Sequence, residues 1–336
     1  MQKYVLSLFI LIWMLSCNVS NNQSVQVISS AKEIPEKIQE RIQRYDQKII
    51  RSLKEENALS IDSISSAFFK KETDIKSLAS MMPQISTLLK GLTPIQKDHI
   101  YLTTNPSALT SSKNTVLKGS DDYNFELPIN SEQMYISSYL FNSKSDGYMM
   151  TLIYSLHKNQ WFLDRINLGS YSFYGKNALD FYNKGIEHME QGHLIDAFIA
   201  LEVSSNLLQP SSGNLNYLKS DDITQTLQFV SKSINEKYNF PFTLQVGTSN
   251  IEIFRIYSQR VGKDGFFPVI DYKSTFDISD TTALQLENEL LHDSIEKVFP
   301  GILKNKSWLF YGSYNTIPSS EVQTPKHSFA HQLDSL

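Results

Sequence analysis

At 336 residues, 41% of them apolar and 20% charged, the chain has room for roughly two domains of about 150 residues each, and its apolar content excludes wholesale disorder. A formal charge of −4 excludes a protein whose task is to coat nucleic acid, because phosphate binding needs a clustered basic surface. A single cysteine and 13 glycines leave no disulfide framework, no multi-cysteine metal site and little material for a glycine-rich phosphate cradle.

The N-terminus reads Met1-Gln2-Lys3, then an apolar run from Tyr4 to Leu15 broken only by Ser7. A basic start, a short apolar stretch and a small residue before a cleavage point make a secretory signal. Twelve helical residues reach roughly 18 Å, too short for a ~30 Å hydrocarbon core, so a permanent span is not expected. The segment Met14-Leu15-Ser16-Cys17 resembles the lipobox of bacterial lipoproteins, with Met14 where the family prefers Leu. The resemblance implies cleavage after Ser16 and lipid attachment at Cys17, which would carry a diacylglyceryl thioether and an N-acyl group such as palmitate. Two or more acyl chains anchor stably where one holds only marginally. Asn18, in place of the Asp that often means inner-membrane retention in that family, leans toward the outer membrane if the cell has one. The alternative is an ordinary secreted protein whose Cys17 leaves with the signal peptide.

Residues 1–16 are thus expected as signal peptide and 17–31 as a lipidated flexible tether. From Ile34 the apolar residues Ile38, Ile42, Tyr45, Ile49 and Leu53 recur in steps of three and four opposite Glu36, Lys37, Glu40, Arg41, Arg44 and Lys48. That is one face of a helix, with Pro35 in its first turn. Residues 60–95 continue as mainly helical, with Ile61, Ile64, Phe68, Ile75, Leu78, Met82, Ile85 and Leu88 as core and Pro83 as a kink or break. A long connection with short strands is expected from 103 to 127. Met134 to Phe141, then Tyr148 to Leu156 with alternating Tyr148, Met150, Leu152, Tyr154 and Leu156, then Trp161 to Leu168, read as an antiparallel meander joined at Lys158-Asn159-Gln160. Helices followed by such strands resemble the nuclear transport factor 2-like fold over about 60–170.

Ala178, Phe181, Gly185, Gly192, Ala197 and Leu201 form a pattern similar to one tetratricopeptide repeat, with Ser204 replacing a small apolar residue and Pro210 one position late. One repeat cannot bury its own face, so a helical hairpin completed by a third helix, 221–238, is expected as a spacer or docking unit. The last hundred residues return to α+β: strands over 251–259, around Ile270, Tyr272 and Phe276, and over 308–314, and a helix capped by Asp280 and stopped by Pro300-Gly301. The expected fold class is α+β, two lobes of antiparallel sheet plus helices joined by a helical hairpin. Its divisions are an N-terminal domain (32–170), a hairpin region (171–240), a C-terminal domain (241–316) and an exposed tail (317–336).

No known catalytic motif is present: there is no G-x-S-x-G elbow, phosphate loop or G-x-G-x-x-G turn, and Gly262-Lys263 reads as a hairpin turn. Among seven histidines (His99, His157, His188, His193, His292, His327, His331), His327 and His331 have helical i, i+4 spacing but lack the Glu of a zincin and lie in the tail. His188 and His193 flank the hairpin turn and are expected to be solvated. Neither Asp121-Asp122 nor Asp221-Asp222 makes an acid/base couple, since adjacent side chains diverge, and Asp221 suits a helix cap. The 17 Tyr and 19 Phe are expected to pack in sheets and core rather than line a cleft. No catalytic residue, cofactor or metal ligand is assigned.

The expectation is a lipid-anchored cell-envelope protein acting in binding or scaffolding. Its partners would be the membrane, through the anchor, and an envelope protein, through the hairpin, with no nucleic acid. One alternative is an envelope hydrolase or transferase whose site, drawing on Asp121, Asp122, Asp271, His157 or His292, assembles only in three dimensions. Another is a carrier that closes the Tyr148–Leu156 face over a small apolar ligand.

Overall fold

The computed structural model describes residues 25–28, 30, 32–106, 109, 114–263, 265–319 and 324–333. The signal segment and Cys17 lie outside them. The first described element falls within the expected tether: β1 (Gln26–Ile28) pairs antiparallel with β2 (Pro94–Thr103), Val27 opposite Leu102. The end of that tether is therefore an edge strand.

The apolar steps of three and four produce α1 (Glu36–Lys54), which buries Ile42, Ile49 and Leu53. Pro35 stands one position earlier than expected, at the N-cap, and its carbonyl accepts from the amides of Ile38 and Gln39. The helical stretch that follows is three pieces, α2 (Ala58–Asp62), α3 (Ala67–Glu72) and α4 (Ile75–Leu89). Pro83 does not divide α4: it is on the exposed side, where water can serve the carbonyl that its ring cannot. Phe69 and Leu89 take the buried positions expected for Phe68 and Leu88, and Leu88 is exposed.

After β2 come β3 (Asn114–Lys118), β4 (Tyr123–Pro128), β5 (Gln133–Asn142), β6 (Asp146–His157) and β7 (Gln160–Phe173). β1-β2-β5-β6-β7 make one antiparallel sheet. Lys158 and Asn159 both adopt positive φ in the β6–β7 turn, the twist a two-residue hairpin favours. One face of this sheet is covered by α1–α4, with Ile42, Ile49, Leu53 and Met82 against Tyr135, Met150, Leu152 and Tyr154. The other face is covered by a three-stranded sheet, β3-β4 with β8 (Leu215–Tyr217), whose Leu117, Tyr123, Phe125 and Tyr217 meet Ile100, Met134, Ile136, Met149 and Ile153. The alternation expected for β6 is real but one-sided in what it reveals, because Met149, Thr151, Ile153 and Ser155 on the opposite face are buried as well.

The hairpin forms as α5 (Ala178–Glu190) and α6 (Leu194–Asn206), followed by α7 (Ser220–Tyr238). Gly185 permits the close approach: a Cβ there would stand 2.7 Å from Leu201 Cγ. Ser204, the departure from the repeat pattern, is fully buried and donates to the carbonyl of Ala178, tying the two helices together. Asp221 does not cap α7, which starts one residue earlier, after Lys219. α6 contributes Val203 to the first lobe's core and Ile195, Ile199 and Leu201 to the second's, so it is a wedge between lobes.

The second lobe holds β9 (Phe242–Val246), β10 (Ser249–Val261), β11 (Gly265–Lys273), α8 (Thr281–Val298), β12 (Trp308–Tyr314) and β13 (His327–Gln332), in sheet order β13-β12-β11-β10-β9. Asp280 caps α8 by accepting from the Ala283 amide. β11 and β12 run parallel with α8 as their crossover, the single exception to antiparallel pairing among the described strands. Ile270 and Tyr272 are buried as expected, but Phe276 lies beyond the strand and is exposed. The expected tail is corrected too, since β13 pairs antiparallel with β12.

Burial of polar side chains imposes its own order. Asp46, on the apolar face of α1, is 1% exposed and accepts hydrogen bonds from Ser137 Oγ at 2.9 Å, Tyr139 OH at 2.7 Å and Tyr154 OH at 2.5 Å. Burial pushes its carboxyl up to about 6 from an ordinary 3.8, against the pull of the three hydroxyls. Between those two values the folded chain holds a proton that the unfolded chain releases, so this group's contribution to stability is present below pH 4 and is lost as pH rises through 6. Two units correspond to about 3 kcal/mol. Denaturation of the wild type and Asp46→Asn at pH 4 and pH 7 is therefore expected to show the wild type losing about 2–3 kcal/mol more than the variant over that interval.

Candidate functional site

The residues proposed for an assembled catalytic site do not meet. Asp121 lies in the β3–β4 turn, bonded to Tyr171 OH at 2.6 Å and paired with Lys97 at 2.8 Å. Burial pushes its carboxyl up, but Lys97 and Tyr171 together outweigh that and hold it below the usual range. Its neighbour Asp122 serves through its backbone, accepting from the Leu218 amide. Asp271 is fully buried in the second five-stranded sheet and bound by the Arg255 guanidinium. His292, on α8, stacks on His331 of β13 with ring centroids 4.1 Å apart and bonds Tyr311 OH. His331 thus lies on a paired strand rather than in an exposed tail.

His157 has a neighbourhood that sequence reasoning missed. Its Nε2 lies 3.0 Å from Ser155 Oγ, which donates to Asp164 at 2.8 Å, and Asn130 donates to the other Asp164 oxygen. The residue types are those of an acyl-transfer triad, but the order is wrong. Asp164 engages the serine instead of orienting the histidine, and Ser155 is fully buried. The hollow of about 440 Å³ beside it is apolar, with Phe68 and Phe162 in its wall.

The most chemically equipped concavity lies elsewhere, between the helical hairpin and the second lobe. It is a cleft of about 410 Å³ with aromatic walls that include Phe181 and Phe266, and with four lysines around it: Lys176 and Lys184 from the hairpin side, Lys304 and Lys306 from the segment after α8. Glu187 and Asp196 are its acids, so in a chain of charge −4 this lining is positive. The β10–β11 turn closes one end. There the Gly262 carbonyl accepts from Tyr174 OH at 2.8 Å, and Arg260 pairs with Asp146 at 2.7 Å and bonds the Ser145 carbonyl. Phe266 packs edge-on against Phe173, Tyr174 and Phe181.

At the cleft wall Lys306 places its ammonium 2.8 Å from one Asp196 oxygen and 2.9 Å from the other, and donates also to the carbonyls of Gly301 and Lys304. Both side chains are nearly buried, at 10% and 6% exposure. Burial pulls the Lys306 pKa down against the attraction of Asp196. Partial burial, with Lys176 nearby, does the same to Lys184. Beside this pair His188 and His193 come together, ring centroids 6.1 Å apart, and each offers a ligand atom within 4.8 Å of one another and of an Asp196 oxygen. These three are the group of described residues that could hold a metal ion. The expectation that His188 and His193 are merely solvated is corrected: both are half-buried, and burial lowers the pKa of His188. The spacing of His188, His193 and Asp196 around one helix turn was visible in the sequence. The arrival of Lys306, 110 residues away, was not.

No family model matches the chain, and no curated protein or solved structure shows significant similarity to it.

Removing one member of a buried ion pair strands the other's charge, at a cost of about 3–5 kcal/mol, whereas replacing both is far milder. Lys306→Met is thus expected to lower the denaturation midpoint sharply, and the double variant Asp196→Asn/Lys306→Met to recover most of the loss.

Proposed function

We propose that this protein is a lipid-anchored component of the cell envelope that acts as a binding module, and that the cleft between hairpin and second lobe takes an anionic ligand carrying an apolar or aromatic part. The observation that carries the ligand class is the grouping of Lys176, Lys184 and Lys304 around one concavity walled by Phe181 and Phe266, Lys306 being taken up by Asp196. Lys176, Lys184 and Lys304 are exposed, so their ammonium groups can make charge-assisted hydrogen bonds to a carboxylate or phosphate, and the rings offer the apolar contact that ligand sites usually combine with a few polar groups. The anchor rests on the lipobox-like Met14-Leu15-Ser16-Cys17. No helix among the described residues is long and apolar enough to cross a membrane.

The enzyme alternative lacks the convergence it needs, because Asp121, Asp271, His157 and His292 are each engaged at separate places. The carrier alternative called for space behind the Tyr148–Leu156 face. That face is filled by α1–α4, with Met150, Leu152 and Tyr154 fully buried among them.

Two measurements test the proposal. Mass spectrometry of the mature N-terminus is expected to find Cys17 as residue one with acyl groups attached, and a free thiol there or cleavage elsewhere removes the anchor. Calorimetric titration with phenyl phosphate is expected to show binding that Lys184→Ala/Lys304→Ala weakens about tenfold or more, roughly 1.4 kcal/mol. Equal affinity in both proteins removes the cleft from the account.

A further inference from the structure

We propose that His188, His193 and Asp196 form a binding site for a divalent transition-metal ion of the zinc class. His188 lies in the last turn of α5, His193 is the residue before α6 and Asp196 is in the first turn of α6, so the ion would staple the hairpin across its turn. Two imidazole nitrogens and a carboxylate oxygen, all within 4.8 Å of one another, are a donor set suited to zinc, iron(II), cobalt(II) or nickel(II), and one poorly suited to magnesium or calcium.

Two further features point to a ligand. His188 Nδ1 is buried and has no hydrogen-bond partner, whereas buried polar atoms nearly always find one. The surroundings also hold the ligands in place, as outer-shell groups of metal sites do. Gly301, at φ +87°, has no room for a side chain: a Cβ would stand 2.4 Å from the His193 ring. Its loop is fixed by Glu296, which accepts from the amides of Gly301 and Leu303. Lys306 orients Asp196 by taking one acceptor position on each oxygen. A carboxylate has about four such positions, so lone pairs remain for a metal.

Three protein ligands leave at least one coordination position open. His188 and Asp196 line the same cleft as Lys176, Lys184 and Lys304, so the open position would share an anionic ligand with their ammonium groups. That sharing rests on the proposed anion binding; uptake of the metal does not.

The test is titration of the purified, EDTA-treated full chain with cobalt(II), followed by visible absorption and by displacement with zinc(II). One cobalt(II) per chain is expected, with a rise in melting temperature. His188→Gln/His193→Gln alters two half-exposed side chains and is expected to weaken binding by more than about 100-fold, beyond the 10–100-fold typical of losing an outer-shell partner. Lys184→Ala/Lys304→Ala should take up the metal as the wild type does. The proposal is overturned if the wild type takes up neither metal at about 100 μM, a hundredfold above a micromolar Kd, or if the histidine variant binds as tightly as the wild type. Phenyl phosphate titrated in the presence of EDTA reads the anion site alone, so either site can fail without the other.

Discussion

A sheet covered on both faces has no water to satisfy the polar side chains it carries, and the first lobe is organised around that constraint. Ser137 and Ser138 are consecutive on β5 and therefore point to opposite faces. Each is fully buried and each donates to a different buried carboxylate: Ser137 to Asp46 on the helical side, Ser138 to Asp98 on the side of the three-stranded sheet. Tyr139 and Tyr154 complete the first cluster, and Tyr123 with the Ser120 amide completes the second. Hydrophobic area drives the layers together, but these hydroxyls fix where they stop, because a shifted register would leave a carboxylate buried without donors. The abundance of tyrosine has the same origin. Tyr123, Tyr135 and Tyr154 are among the largest fully buried side chains, and tyrosine supplies both apolar bulk and a donor.

The second lobe joins this body through α6, whose side chains enter the cores on both sides of it. Around that wedge polar contacts close the gap: Arg260 reaches Asp146 and Ser145, Ser258 donates to Glu202, and Lys306 reaches Asp196. The cleft opens beside the last of these. Lys306, in its wall, is held by one of the contacts that join the lobes, so the shape of the cleft is coupled to the integrity of the junction.

The sequence made some of this legible and hid the rest for identifiable reasons. The helical period of Ile42, Ile49 and Leu53 and the alternation of Met150, Leu152 and Tyr154 could be read because one face of each element is uniformly apolar. β2 was missed because Lys97, Asp98 and His99 stand at its centre, and a buried aspartate looks like a surface residue until its donors are known. In β13, His327, Phe329 and His331 alternate on one strand face, but the two histidines alone also fit a helical spacing, and the nearby Pro318 and Pro325 suggested a tail. The cleft was the least legible part. His188, His193 and Asp196 are near neighbours in the chain, yet only the return of the 301–306 segment shows that they face a walled space and not solvent.

The pairing of Gln26–Ile28 with β2 has a consequence for a chain acylated at Cys17. Only the residues between Cys17 and Val25 would then separate the acyl groups from the first strand. At 3.3–3.6 Å per residue, the leash spans about 30 Å at full stretch, little more than the thickness of a small domain. Such a short mooring would keep the body close above the headgroups and restrict which partners can approach from the bilayer side.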